Sequence, residues 1–179
     1  MPASKTPVGE IAVSVREATL SDIPGIVRVN IATWRDAYRG VIPDDILDAL
    51  SQEEREKAYS ALLSEDGVFS YIAEDVSGRI AGFVVAGPRK FRDLYHEVEV
   101  YALYVEKESQ RRGVGAFLLG AAFNKFREKN VGSVCLTVLE GNRYRRFYEK
   151  NAGKMLCSKS IELQGVPLQV VAYGWELQP

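Results

Sequence analysis

The chain is poor in the residues that staple or metallate small folds. Among 179 residues there are two cysteines and one histidine. Cys135 and Cys157 each sit in an apolar, strand-like run and form no CxxC pair, and His96 stands alone. Zinc-type Cys/His spacing is therefore missing, no metal is expected, and two reduced thiols are the simplest reading. Net charge is nearly absent too. Lys and Arg total 23 against 24 Asp and Glu, leaving −1, so no bulk field draws the chain to nucleic acid or to an anionic membrane. No apolar run approaches the roughly 18 residues of a membrane span. The opening MPASKTPVGE lacks the apolar stretch of a secretory signal. Residues 1–10 are expected to form a loose polar lead, and the chain is expected to be cytoplasmic. Repeats, low-complexity tracts and linkers are missing as well. Residues 11–179 therefore read as one domain, long enough to bury a core without staples.

What is present is pattern. Ile11 to Ala18 alternates and is β-branched, which predicts a strand. In SDIPGIVRVNIATWRDAYRG the residues Ile23, Ile26, Val27, Asn30, Ile31, Trp34 and Tyr38 recur at helical spacing up to Gly40. A short second helix follows Pro43. Ser51 caps a third, with Glu54 as its capping-box partner. GVFSYIAED and GRIAGFVVAGP predict an antiparallel hairpin around Ser77-Gly78. EVEVYALYV, from Glu97 to Val105, is a further strand. After a long helix beginning at VGAFLLG come a buried strand, GSVCLTVLE, and a short helix ended by Gly153. Two closing strands then join around Gly165. The order β-ααα-β-β-β-α-β-α-β-β describes a mixed α/β domain.

Between the strand ending at Val105 and the long helix lies EKESQRRGVGA. The first N–H groups of a helix lack intrahelical acceptors, and the macrodipole makes that end positive. A glycine-rich turn there is a natural anion site, and Arg111 and Arg112 add charge. Gly113 and Gly115 would let a ligand reach backbone that a Cβ would shield. The P-loop pattern GxxxxGK[ST] is missing. The dinucleotide pattern GxGxxG fails because Leu118 stands at its third glycine.

VEKESQRRGVGA resembles motif A of the GNAT superfamily of N-acetyltransferases, written V-x-P-x-x-[QR]-x-x-G-x-[GA], with Lys107 where proline is common. LEGNRYRRFYEKNAG resembles that superfamily's motif B, with Asn142 before the helix and Tyr148 inside it. The likeness runs over residues 13–177, and TWRDAYRGVIPDDILDALS, YALYV and VAYGWEL are similar to a large bacterial branch. It implies a central, mostly antiparallel, splayed mixed sheet of about seven strands flanked by helices. It also implies acetyl-CoA as donor and an amine as acceptor. The pyrophosphate would lie on Gln110, Arg111, Arg112, Gly113, Val114, Gly115 and Ala116. The pantetheine arm would pair with Leu103, Tyr104 and Val105 as an added strand, near Asn142. A backbone N–H at Leu103 or Tyr104 would stabilise the oxyanion. Tyr148 would be the general acid.

For the base, strand alternation places Glu97 and Glu99 on one face with Tyr101 and Leu103; Glu99 is preferred as the nearer to Leu103. Trp34 and Tyr38, four apart, share a helix face and are expected to line the acceptor pocket. The exposed closing strands leave a homodimer open. The competing reading is a non-catalytic acyl-CoA-binding regulatory module of the same fold. Nothing in the sequence names the acceptor.

Overall fold

The computed structural model describes residues 5–8 and 11–177, with side chains from residue 13 onward. Eight strands form one sheet in the order β1-β2-β3-β4-β5-β6-β8-β7. They are β1 (Lys5–Val8), β2 (Ile11–Glu17), β3 (Phe69–Glu74), β4 (Ile80–Pro88), β5 (Val98–Val105), β6 (Ser133–Leu139), β7 (Lys154–Leu163) and β8 (Val166–Glu176). The expected seven strands are β2 to β8. β1 is an addition: Lys5–Val8 pairs antiparallel with β2, where a loose polar lead was expected.

The helices are α1 (Ile23–Tyr38), α2 (Asp44–Asp48), α3 (Gln52–Leu63), α4 (Val114–Glu128) and α5 (Arg146–Lys150). Their ends follow local chemistry. The Ser51 hydroxyl accepts from Glu54 N at 3.3 Å at the start of α3. Asp22 accepts from Thr19 N at 2.8 Å in the 3₁₀ turn that leads into α1.

The sheet is coated on both faces. On one, Val114, Leu118, Leu119, Ala122 and Phe126 of α4 pack on Val84, Ala86, Val100, Val134 and Leu136, with Phe147 and Tyr148 of α5 alongside. On the other, Ile26 and Val29 of α1 meet Ile72, Phe83 and Val85. Each fully buried aliphatic side chain of this kind contributes about 1.5–3 kcal/mol. The 89–97 segment lies over the same face further along, where Phe91 and Leu94 cover Cys135, Ala172 and Cys157. Both cysteines are free thiols, and burial pushes the Cys135 thiol up to about 12, far from reactive.

Every neighbouring strand pair is antiparallel except β5 and β6. Those two run parallel and stay paired only at Val98–Val134, Glu99–Cys135 and Val100–Leu136. β6 holds its register with β8 through Leu139, while β5 departs. The cause is a bulge. Against β4, Val85 faces Ala102 and Ala86 faces Val100, so Tyr101 is an extra residue. A bulge bends its strand and re-aims the following side chains. The sheet therefore splays open from Tyr101 to Val105.

The bulge also corrects the expected alternation. Val100, Leu103 and Val105 pack on the α4 face, whereas Tyr101, Ala102 and Tyr104 pack on the α1 face. Leu103 does not share a face with Tyr101.

Candidate active site

The splay holds a cleft with about 300 Å³ of open space. Its walls are Val100 to Tyr104 on β5 and Leu136 to Val138 on β6, closed by Tyr38, Asn142 and Tyr148. Glu106 N donates to Ala81 O on the β4 side of the strand. Peptide groups of successive residues alternate between strand edges, so those of Leu103 and Val105 point to the open edge. There Gln110 Nε2 donates to Val105 O at 2.9 Å. The remaining edge groups are free to pair with an extended, amide-bearing ligand. A larger groove, about 790 Å³, runs between α4 and β2–β3. Of the residues singled out in the sequence only Ala116 borders it, so the splay is the better candidate.

One end of the cleft meets the N-terminus of α4. Gly113 is the N-cap, with φ of +82° and no side-chain cap, and the first turn has no acidic residue. The N–H groups of Val114, Gly115 and Ala116 thus have no acceptor within the helix. Arg111, itself at φ +60°, and Arg112 are exposed beside them. Gly113 is required by its backbone conformation. Gly115 has a separate reason: a Cβ there would sit 3.1 Å from Phe147 Cε2. Its smallness lets α5 pack on α4, an origin the sequence reading did not include.

Tyr148 and Tyr38 close the cleft between the two strands. Tyr148 lies edge-on to Phe147 at 5.4 Å and beside Tyr173 at 5.6 Å. Among the described residues its hydroxyl makes no hydrogen bond, and burial raises its pKa above the usual tyrosine range. Asn142 caps the turn before α5, Oδ1 accepting from Tyr144 N at 2.8 Å, and its Nδ2 donates to Tyr38 Oη at 3.1 Å. Tyr38 is 4% exposed, and burial raises its pKa as well. Trp34 stands behind these residues rather than in the cleft. Its Nε1 donates to Tyr104 Oη at 2.9 Å, and its ring meets Tyr38 edge-on at 5.2 Å.

The two glutamates serve the backbone. Glu97 Oε1 accepts from Gly132 N at 2.8 Å. Glu99, 6% exposed, accepts through Oε2 from Lys90 N and Phe91 N, both at 2.8 Å. Neither lines the cleft. These partners come from non-local backbone, which sequence spacing does not reveal.

Two groups escaped the sequence reading. Asp36 on α1 accepts from Tyr144 Oη and from Lys107 Nζ at 3.1 Å. It ties the α1 side to both motif loops, and the Tyr144 hydrogen bond holds its carboxyl below the usual range. Arg55 on α3 stacks its guanidinium 4.5 Å from the Trp34 ring centre. Among the described residues no metal-type cluster of His, Cys, Asp and Glu occurs, and no helix is long and apolar enough to cross a membrane.

Comparison with known proteins agrees with this architecture. The model of the acetyltransferase (GNAT) family matches residues 31–153. The N-acetyltransferase YuaI of Bacillus subtilis is 34% identical over 163 residues, covering 91% of this chain and 92% of that one. PaiA N-acetyltransferase of Thermoplasma acidophilum, solved with coenzyme A, superposes with a TM-score of 0.66 at 18% identity, covering 89% of this chain and 97% of that one. Salmonella typhimurium yncA, solved with acetyl-CoA, gives 0.68 at 18% identity over 93% and 95%. With its splayed sheet, uncapped glycine turn and family match over residues 31–153, the chain belongs to the GNAT acetyltransferase family.

Proposed function

We propose that the protein transfers an acetyl group from acetyl-CoA to an amine. The observation that carries this reading is the coincidence of three features at one cleft. These are open backbone edges at Leu103 and Val105, an uncapped helix N-terminus at Val114, and an unbonded phenol at Tyr148. The crystallised relatives PaiA and yncA hold coenzyme A and acetyl-CoA, which supports the same cosubstrate here.

In this reading the pyrophosphate rests on the 111–116 turn and the pantetheine arm extends β5 across its open edge. The amine nitrogen bonds to the thioester carbonyl carbon. The carbonyl oxygen takes the negative charge, and the Leu103 N–H stabilises it. The C–S bond then breaks and its electron pair leaves on sulfur. Tyr148 stays protonated because its pKa is raised. A coenzyme thiol near the ordinary value of about 8.5 is the stronger acid. The phenol therefore acts on sulfur by donating a hydrogen bond that stabilises the charge building on the leaving group, and the departing thiolate takes its proton from solvent. Glu99 lies outside the cleft lining, so as base it takes the acceptor's proton only through intervening water, at Oε1, which carries no hydrogen bond among the described residues.

Tyr148→Phe tests the assignment. Free-thiol release with acetyl-CoA and an amine should fall about 10²- to 10⁴-fold in kcat, with acetyl-CoA affinity held. Full turnover in a variant whose chemistry is rate-limiting would remove Tyr148 from the reaction. A pH–rate profile unchanged in Glu99→Gln would leave water alone as base. Failure of the parent protein to bind millimolar acetyl-CoA would overturn the whole reading and favour neither an enzyme nor a coenzyme-binding module.

A further inference from the structure

Five arginines are half-buried: Arg16, Arg28, Arg55, Arg89 and Arg145. Three of them face carboxylates. Arg16 meets Asp22 and Glu74, Arg28 meets Glu106, and Arg145 meets Glu149. Arg55 and Arg89 meet none among the described residues. Arg89 follows Pro88 on the 89–97 segment and has no hydrogen-bonded link to the cleft. Arg55 has one. Its guanidinium lies over Trp34, Trp34 Nε1 donates to Tyr104 Oη, and Tyr104 lines the cleft. Only Nη1 of Arg55 is engaged, donating to Asn30 Oδ1. Nη2 and Nε have no acceptor among the described residues.

Holding a cation partly out of water without a counter-charge is unfavourable. Stacking on an indole offsets part of that cost, but leaves the planar fork of donors unused. That fork matches a carboxylate in two parallel hydrogen bonds. Its position suits an acceptor rather than the cosubstrate. Arg55, Trp34 and the Tyr104 side chain lie on the α1 face, opposite the α4 face where the anion turn begins its helix.

Resting on the acetyltransferase reading, we infer that the acceptor is an amine that also bears a carboxylate, an amino acid in the broad sense, with its carboxylate held by Arg55. The guanidinium stands one indole away from the Tyr104 hydroxyl. Trp34 and the Tyr104 hydroxyl stand between Arg55 and the cleft, so the acceptor must span that contact for its amine to reach the thioester while its carboxylate stays behind on α3. The fork sets the distance between the two groups, so the site selects for the spacing of amine from carboxylate as well as for the charge.

The test uses the whole chain with paired acceptors, free α- and ω-amino acids beside their carboxamides, with free thiol as readout and acetyl-CoA binding measured calorimetrically on the same samples. The parent protein should acetylate at least one amino acid with a KM about 10- to 100-fold below that of its amide, the range expected of a charge-assisted hydrogen-bonded pair. Arg55→Gln should raise KM for the amino acid by a similar factor with kcat nearly held, and leave KM for the amide unmoved. Arg55→Lys should recover part of the loss, because it restores charge without the fork. If Arg55→Gln does not fold, judged by its melting curve, Arg55→Lys and the amino acid–amide comparison in the parent decide the matter. Amides used as well as acids, equal effects of Arg55→Gln on both, or turnover of neither by protein that binds acetyl-CoA would each overturn the carboxylate assignment alone. Absence of acetyl-CoA binding would instead overturn the transferase reading beneath it.

Discussion

Gly113 and Gly115 lie two residues apart and are glycine for different reasons, so substitutions at the two should fail differently. Gly113 sits at φ +82°. Any side chain there is strained, at a cost of order 1 kcal/mol or more, and the turn that presents Val114 N–H would shift to relieve it. Gly113→Val should therefore lower both the melting temperature and acetyl-CoA affinity. Gly115 lies in the first turn of α4, and its added Cβ would meet the Phe147 ring at 3.1 and 3.2 Å. That contact requires the ring to move by a few tenths of an ångström, and Phe147 adjoins Tyr148. Gly115→Ala gains helix propensity, roughly 0.5–1 kcal/mol, against this crowding, so its melting temperature should change little. Its effect should pass to the phenol, lowering kcat while acetyl-CoA affinity stays within about threefold, ~0.6 kcal/mol. Calorimetry and turnover on the two variants check this. Loss of binding with intact kcat in Gly115→Ala would mean that the Cβ meets the ligand instead.

Between β2, β3 and the start of α1 a single side chain joins three elements. Arg16 forms two forked pairs, with Glu74 at 2.9 and 2.7 Å and with Asp22 at 2.8 and 2.8 Å. The Arg16 hydrogen bonds hold the Asp22 carboxyl at about 2, down from 3.8. Asp22 is ionised in the folded chain down to that pH, whereas the unfolded chain takes up the proton near 3.8. The stability it adds is therefore complete above about pH 4 and is lost as pH falls toward 2. Arg16 is 38% exposed, so solvent screening reduces the effect. Asp22→Asn should cost about 1 kcal/mol at neutral pH, from the lost pair and the lost Thr19 cap, and should flatten the acid limb of stability. Denaturant unfolding at pH 7 and near pH 3 measures both; an acid limb as steep as the parent's would remove Asp22 from that role. Elements like these were legible in the sequence because caps, alternation and the glycine turn are local. The bulge at Tyr101 was not. Every position of EVEVYALYV suits a strand equally well, so nothing marks the residue that is counted twice, and Leu103 was assigned to the wrong face. The Trp34–Tyr104 and Tyr38–Asn142 bonds span 70 and 104 positions, separations that no sequence periodicity encodes.

The whole sheet is two paired halves that share only the first three rungs of β5 and β6. One half runs β1 to β5 and the other holds β6, β8 and β7. Backbone groups left unpaired along a cleft are normally a liability. Here the open stretch begins at the bulge and leads to the uncapped glycine turn before α4, so a ligand with amide groups in its middle and phosphate at its end would complete the ladder and cap α4 together. Such a ligand should tighten the molecule along a line rather than at a point. Acetyl-CoA at about 100 times its Kd should add ~2.7 kcal/mol to folding stability, which is roughly 5–11 °C in melting temperature for a chain of this size. Amide hydrogen exchange gives the pattern. Protection should rise at Leu103 and Val105 and at Val114 to Ala116 in the same titration. Adenosine 3′,5′-bisphosphate, which carries phosphates but no pantetheine, should protect only the second group. Because a local contact slows exchange only where backbone opening is suppressed, the two ligands separate the strand-completion role from the anion role. If acetyl-CoA protects the α4 turn and leaves Leu103 and Val105 exchanging as before, the splay is not where the pantetheine lies.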